Sequence, residues 1–228
     1  MTKLRNTVIP LFLVASAPTI SVLFTLSYNA DESVSQIFFI ISKIWLIFFP
    51  AYWYLSVEKK LPSWSLPSRN GIVLGGASGI VMSIVIIIMW LIFRDTLDTD
   101  SMISVLESTG ITEFRMYLFG MFYWIFLNSL LEEYVFRWFV TIKSIELLGS
   151  EVKAIILSAT LFTLHHAIAM HYFGFFWWQT IVACFGLLSA ATLWSWLYVR
   201  YRSVWVCWLS HAICDVAVFG IGYLIIFR

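Results

Sequence analysis

Seven stretches of this chain are each long and oily enough to cross a lipid bilayer, which narrows the possible folds to one class. They run approximately over residues 7–27, 35–57, 71–93, 116–142, 153–172, 175–198 and 203–227. Each is near the roughly 20 residues that the hydrocarbon core demands of a helix. The composition agrees: 61% of the 228 residues are hydrophobic, 12% are charged, and the mean hydropathy is +0.89. A soluble domain would be about 45–50% apolar and about 25% charged. The expected fold is all-α, a polytopic transmembrane helix bundle of about seven spans, with residues 1–228 forming a single integral membrane domain. Lys3 and Arg5 ahead of an apolar run ending in Ala15-Ser16-Ala17 resemble a signal peptide. Pro18 would follow the cut, and the apolar run continues through Leu26, so an uncleaved first span is expected.

Charge sets the orientation. One set of span ends holds Lys3, Arg5, Lys59, Lys60, Arg69, Lys143, Lys153, Arg200 and Arg202, whereas the other holds Arg94, Arg115 and Arg228. The positive-inside rule then predicts a cell-membrane protein with a cytoplasmic N-terminus and an external C-terminus. A net charge of +1 without a basic cluster points to no nucleic-acid partner. The loop 94–115 carries Asp95, Asp98, Asp100, Glu107 and Glu113, and reads as a solvated acidic loop. Its "DTLDTD" lacks the glycine and closing glutamate of a calcium-binding EF-hand loop. Cys184, Cys207 and Cys214 lie in apolar stretches with no CxxC spacing, and read as small buried hydrophobes. Gly71, Gly75 and Gly79 open the third span at four-residue spacing, which predicts a close-packing face. Trp177, Trp178, Trp194, Trp196 and Trp205 lie near span ends and read as interfacial anchors.

Against this background the polar residues inside spans stand out, because each charge costs at least ~2.5–3.5 kcal/mol to insert. The fourth span has Asn128, Glu132, Glu133 and Arg137; the fifth has His165 and His166; the seventh has His211 and Asp215. Glu133 and Arg137 are four apart and can pair on one helix face. Glu132 lies about 100° round from Glu133, which predicts that the two carboxylates point different ways. Asn128 is one turn before Glu132, within reach of the same cavity. Phe162 shares a face with His166, and His211 with Asp215. Counted at 1.5 Å per residue from the cytoplasmic ends, Glu132 lies roughly 15 Å deep, His166 roughly 20 Å and His211 roughly 12 Å. One shared intramembrane cavity follows. A glutamate beside a histidine there can take a proton from water. A second histidine with a polar neighbour can stabilise an oxyanion. His165 is expected on another face than His166, and Lys43, alone in the second span, is expected to snorkel outward.

These segments resemble the motifs of the type II CAAX prenyl endopeptidase and bacteriocin-processing family of glutamic-type intramembrane proteases. The family pattern is EExxxR, FxxxH, then HxxxN or HxxxD. The chain reads "EEYVFR" (132–137), "FTLHH" (162–166) and "HAICD" (211–215), in that order. The resemblance implies a catalytic core over 116–228, with the active-site cavity formed by the last four helices, behind three N-terminal spans in 1–115. It implies Glu132 as the water-activating residue, His166 as its partner, and His211 with Asp215 at the oxyanion. Glu133, Arg137, Phe162 and Asn128 would support them. It also implies work without a cofactor or catalytic metal. Asp215 stands where the eukaryotic prenyl proteases carry asparagine. An ionised aspartate only accepts hydrogen bonds, so it would act protonated or orient His211 as a cation.

The implied partners are the lipid bilayer and a membrane-associated peptide or protein: a leader peptide, a bacteriocin or pheromone precursor, or a C-terminal anchor tail. Three other readings compete. A zinc-dependent intramembrane protease would use Glu132, His166 and His211 as a His₂Glu set, although no HExxH is present. A non-catalytic family member would act as a bacteriocin self-immunity or envelope scaffold protein. A proton-coupled transporter would use the same buried groups, but the chain shows no inverted repeat.

Overall fold

The helices follow the hydropathy closely. The structure, a computed structural model, describes residues 2–26, 32–61, 65–108 and 110–228. In chain order it contains α1 (Thr2–Leu26), α2 (Glu32–Tyr52) with a wide π turn at Trp53–Val57, and α3 (Arg69–Phe93) with a tight 3₁₀ turn at Arg94–Thr96. Then come α4 (Thr99–Ser108), a long helix α5 covering Phe114–Leu148, α6 (Glu151–Tyr172), α7 (Trp177–Tyr201) and α8 (Val204–Phe227). No strand occurs among the described residues. All but α4 are long and apolar enough to cross a membrane, and the chain is a multi-pass membrane protein. Residue 27 of the first expected span, residues 28–31 of the loop 28–34, and residues 62–64 of the loop 58–70 lie outside the described residues.

Local chemistry sets the ends. Ser68 accepts from the Gly71 N–H at 3.1 Å and caps α3, and Glu113 accepts from the Met116 N–H at 2.9 Å and caps α5. Gly149, with φ of 63°, closes α5 in the left-handed region that favours glycine. Two expectations need correction. The fourth span is longer than 116–142, because Lys143 and Glu146, polar by sequence, neutralise each other as the helix continues. The acidic loop is also not wholly irregular: α4 forms within it. Asp98 starts that helix by accepting from the Ser101 N–H at 3.1 Å and its hydroxyl at 2.7 Å. Those two bonds hold the Asp98 carboxyl below its usual range.

Many large apolar side chains face outward, among them Phe12, Phe48, Val73, Val81 and Phe185, as expected of surfaces solvated by lipid. Inside, the most extensive helix pair is α3 with α8, followed by α6 with α7. The expected glycine face forms the first of these. A Cβ on Gly75 would stand 2.6 Å from the Val206 carbonyl oxygen, and one on Gly79 only 2.8 Å from that of Ser210. Only glycine lets the backbones approach so closely. Hydroxyls complete the seam, with Ser78 and Ser210 at 3.0 Å and Ser83 donating to the Ile213 carbonyl at 3.0 Å. The seam matters because α8 carries His211 and Asp215.

A second polar contact ties α2 to α5 at the basic end of the bundle. Lys143 is fully buried and pairs with Glu58, and with Glu146 at 2.8 Å. Lys60 joins both acids, at 3.0 Å from Glu58 and 2.9 Å from Glu146. Lys143, counted by sequence among the free cations of that end, is thus spent inside the protein.

Candidate functional site

The motif residues of α5 sit on a short regular segment, Ser129–Glu133, between two π-helical stretches, Tyr123–Asn128 and Tyr134–Val140. Such wide turns occur often at functional sites because they re-aim side chains out of simple helical phase. Nothing in the residue spacing announced them.

Their effect is visible in the two adjacent glutamates. Both reach His211 of α8, from opposite edges of its ring. Glu133 Oε1 lies 2.9 Å from His211 Nδ1, and Glu132 Oε2 lies 3.9 Å from Nε2. The expectation that the carboxylates diverge is therefore corrected: a ring with nitrogens on two edges lets neighbouring residues converge on it. Asp215 Oδ1 approaches the same Nε2 at 3.6 Å, one turn along α8.

Below the imidazole lies a buried layer. Arg137 Nε donates to Glu133 Oε2 at 2.9 Å, with both side chains inaccessible to solvent, as the four-residue spacing predicts. Its Nη1 donates to the Ser195 hydroxyl at 3.1 Å. The guanidinium carbon lies 4.7 Å from the Phe162 ring centre and 5.5 Å from that of Trp194, where ring faces attract a cation. Nη2 has no hydrogen-bond partner, so the aromatic faces are its compensation. Trp194 also stacks on His211, with ring centres 4.2 Å apart at 19°, and its indole N–H donates to Ser210 at 3.0 Å. It is buried, and the interfacial role expected of Trp194 is corrected accordingly. Trp177 and Trp196 are exposed as expected.

On α6, His166 Nδ1 lies 3.0 Å from the Phe162 carbonyl oxygen. A carbonyl only accepts, so Nδ1 carries a hydrogen and, in the neutral ring, Nε2 is left as the acceptor. Phe162, wholly buried, packs between His166 at 4.5 Å and His211 at 5.9 Å. His165 is not turned away from the site. One nitrogen of His165, one of His166 and one oxygen of Glu132 all lie within 4.8 Å of one another. Among the described residues this is the group of His, Cys, Asp and Glu placed closely enough to hold a metal ion. It differs from the set read from sequence in having His165 where His211 was expected.

Glu132 is the more accessible of the two glutamates and accepts from Asn128 Nδ2 at 2.8 Å. Asn128 in turn accepts, at Oδ1, from the ammonium of Lys43 on α2. Lys43 does not snorkel outward: a carbonyl inside the bundle satisfies its charge. The site is accordingly not built from the last four spans alone.

All the motif residues meet in one place. Glu132, His166 and Asp215 are partly exposed and surround the buried His211; Glu133, Arg137 and Phe162 are inaccessible beneath them, and Asn128 flanks Glu132. Sequence reasoning missed Trp194, Ser195, His165 and Lys43 as neighbours. Lys43 and His165 left a signal, as polar groups inside spans; Trp194 and Ser195 left none.

No curated protein and no solved structure matches the chain. A family model described as Type II CAAX prenyl endopeptidase Rce1-like matches residues 114–217, a little under half of the chain. The match begins with α5 and ends two residues beyond Asp215, so it encloses all three motifs and excludes the first three spans. The family points to a protease of the CAAX type that acts in the membrane on a membrane-associated substrate. Over residues 114–217 the chain is similar to the Type II CAAX prenyl endopeptidase Rce1-like family.

Proposed function

We propose that the protein is a glutamic-type intramembrane endopeptidase that hydrolyses a peptide bond in the tail or leader of a membrane-associated substrate. The observation that carries this reading is the convergence on Glu132 of His211 Nε2, at 3.9 Å, and a nitrogen of His166, within 4.8 Å. A carboxylate and two imidazoles from three helices thus border one small volume.

In this reading a water molecule sits between Glu132 and His166. Its oxygen attacks the scissile carbonyl carbon while its proton passes to Glu132. The carbonyl π electrons move to oxygen, and the oxyanion takes a hydrogen bond from His211. With Nδ1–H committed to Glu133, the doubly protonated ring can donate from Nε2, and Asp215 supplies the counter-charge. Glu132 then gives its proton to the amide nitrogen as the C–N bond breaks, releasing an amine and a carboxylic acid. Glu133 and Arg137 are positioning residues that fix the ring of His211. Trp194 holds the ring's face.

The test is cleavage in proteoliposomes of a quenched fluorescent peptide with a prenylated C-terminal cysteine motif, alongside proteomics of membrane and released peptides. Wild type should yield a product that Glu132→Gln does not. Equal products from the two proteins would favour a scaffold or immunity role. The orientation belongs to the same proposal: cysteines placed at residue 3 and residue 228 should label from the cytoplasmic and external sides respectively.

A second reading has an observation in its favour. Glu132, His165 and His166 could hold a divalent ion, which would polarise water in place of the free carboxylate. Activity that persists in metal-free protein under strong chelation rules this out. Activity that is lost and then returns with stoichiometric zinc favours it.

A further inference from the structure

The first three spans lie outside the family match, yet one of their residues touches the site. Lys43 is the only basic residue of the second span, and its ammonium donates to Asn128 Oδ1 across 85 positions of sequence. Asn128 Nδ2 donates to Glu132 Oε1 at 2.8 Å. The Lys43 ammonium also lies over the ring of Phe39, 5.1 Å from its centre, one turn back on α2. That contact fixes the direction of the long side chain.

The chemistry of the chain of bonds is directional. An asparagine amide can turn by 180° and exchange its oxygen for its nitrogen, and by itself it has no preferred sense. An ammonium can only donate, so it selects the amide oxygen. The NH₂ group is then forced toward Glu132, and a carboxylate can only accept. The three groups have a single consistent arrangement, and Lys43 chooses it.

We propose that Lys43 is a positioning residue of the site. Through Asn128 it holds the Glu132 side chain in one rotamer, with Oε1 turned to the amide and Oε2 toward His211. The cation from α2 thereby makes the site depend on a span that the family match does not cover. The groups around Glu132 are Lys43 on α2; Tyr123 and Asn128 on its own helix; His165 and His166 on α6; and His211 and Asp215 on α8. Arg137 is engaged by Glu133, whereas Lys43 bonds the residue that bonds Glu132. The catalytic consequence rests on the protease reading above; the bonding role does not.

The experiment therefore reads the Asn128 amide directly. In the full chain in nanodiscs, with asparagine labelled with nitrogen-15 and the Asn128 side-chain signal assigned by its loss in Asn128→Leu, the resonance reports the partners of the amide. Lys43→Met should shift and broaden that signal, because the amide loses its preferred sense, whereas Lys43→Arg, which still donates, should keep the wild-type signal. An unchanged Asn128 signal in folded Lys43→Met overturns the proposal. Where peptide cleavage is measurable, Lys43→Met should lower kcat about tenfold or more with KM unchanged, and Lys43→Arg should restore most of it. Lys43→Met combined with Asn128→Leu should lose no more than the larger single variant, because both break one relay, and full additivity overturns the proposal. A shifted Asn128 signal in a protein that cleaves nothing leaves Lys43 in place and overturns the protease reading alone.

Discussion

Two charge clusters are built into this membrane protein, and they differ in what they leave undone. At the basic end, Glu58, Lys60, Lys143 and Glu146 alternate in sign, and each finds an opposite charge within 3.0 Å. The cluster is neutral in formal charge and fastens α2 to α5. Mid-membrane, Glu133 and Arg137 are neutralised in the same way, but Glu132 and Asp215 stand 3.9 Å and 3.6 Å from His211, beyond hydrogen-bond distance. Both carboxylates are partly exposed, whereas Glu133 and Arg137 are not. Inserting charge without satisfying it is costly. The contrast teaches that the first cluster serves cohesion, whereas the second keeps reactive edges free.

The sharpest way to break that contrast is to neutralise Glu132. Glu132→Gln should reduce peptide cleavage by about a thousandfold or more while leaving the melting temperature in nanodiscs at or above the wild-type value. A large loss of stability with retained turnover would place Glu132 with the cohesive charges.

Removing Arg137 should do both kinds of damage. Arg137→Met leaves the buried Glu133 with His211 alone as its partner, which should cost ~3–5 kcal/mol of stability and lose turnover as the Glu133 carboxylate that anchors His211 loses its support. Lys143→Met should destabilise to a similar degree, yet the fraction that remains folded should turn over at the wild-type rate. Denaturation and active-site counting on the same preparations separate the two effects. Equal specific activity in both variants would erase the distinction between the clusters.

The helix seam offers an intermediate effect. Gly79→Ala puts a methyl within 2.8 Å of the Ser210 carbonyl oxygen and should destabilise by ~1–3 kcal/mol. The displaced atom belongs to the residue before His211, so kcat should fall as well. Gly76→Ala, whose nearest neighbour is a leucine methyl at 3.9 Å, should leave both unchanged.

The smallest effect is expected at Lys60, which is half exposed. Lys60→Met should cost ~0.5 kcal/mol, because solvent weakens such pairs. The Glu146 carboxylate that accepts from Lys60 holds its ammonium above the ordinary lysine value, against partial burial. A raised value in the folded state means the contribution is fully present below about pH 10, the unfolded value, and disappears only at higher pH. The difference between Lys60→Met and wild type should therefore stay constant from pH 6 to 9. A difference that vanishes within that window contradicts the pairing.

Much of this was legible before any coordinates. Hydropathy located seven spans because the bilayer tolerates few alternatives to an apolar helix. Four-residue spacing located the Glu133–Arg137 pair and the glycine face, since both depend on contacts along or beside one helix. Depth counting brought Glu132, His166 and His211 to one level. It could not say that both glutamates would reach His211, because that depended on π turns with no residue signature. Nor could it separate Trp194, stacked beneath His211, from Trp196, exposed two residues later.

What the sequence determined by itself, then, is how far each polar group lies along its helix, since rise per residue is fixed by backbone hydrogen bonding. What only the tertiary structure decided is which way each group turns and what it meets. Lys43 shows the difference. By its own helix it is a cation free to reach for water; beside Asn128 of a helix 85 positions away it becomes part of the site. Rotation and partner choice come from packing between helices, which no single span encodes.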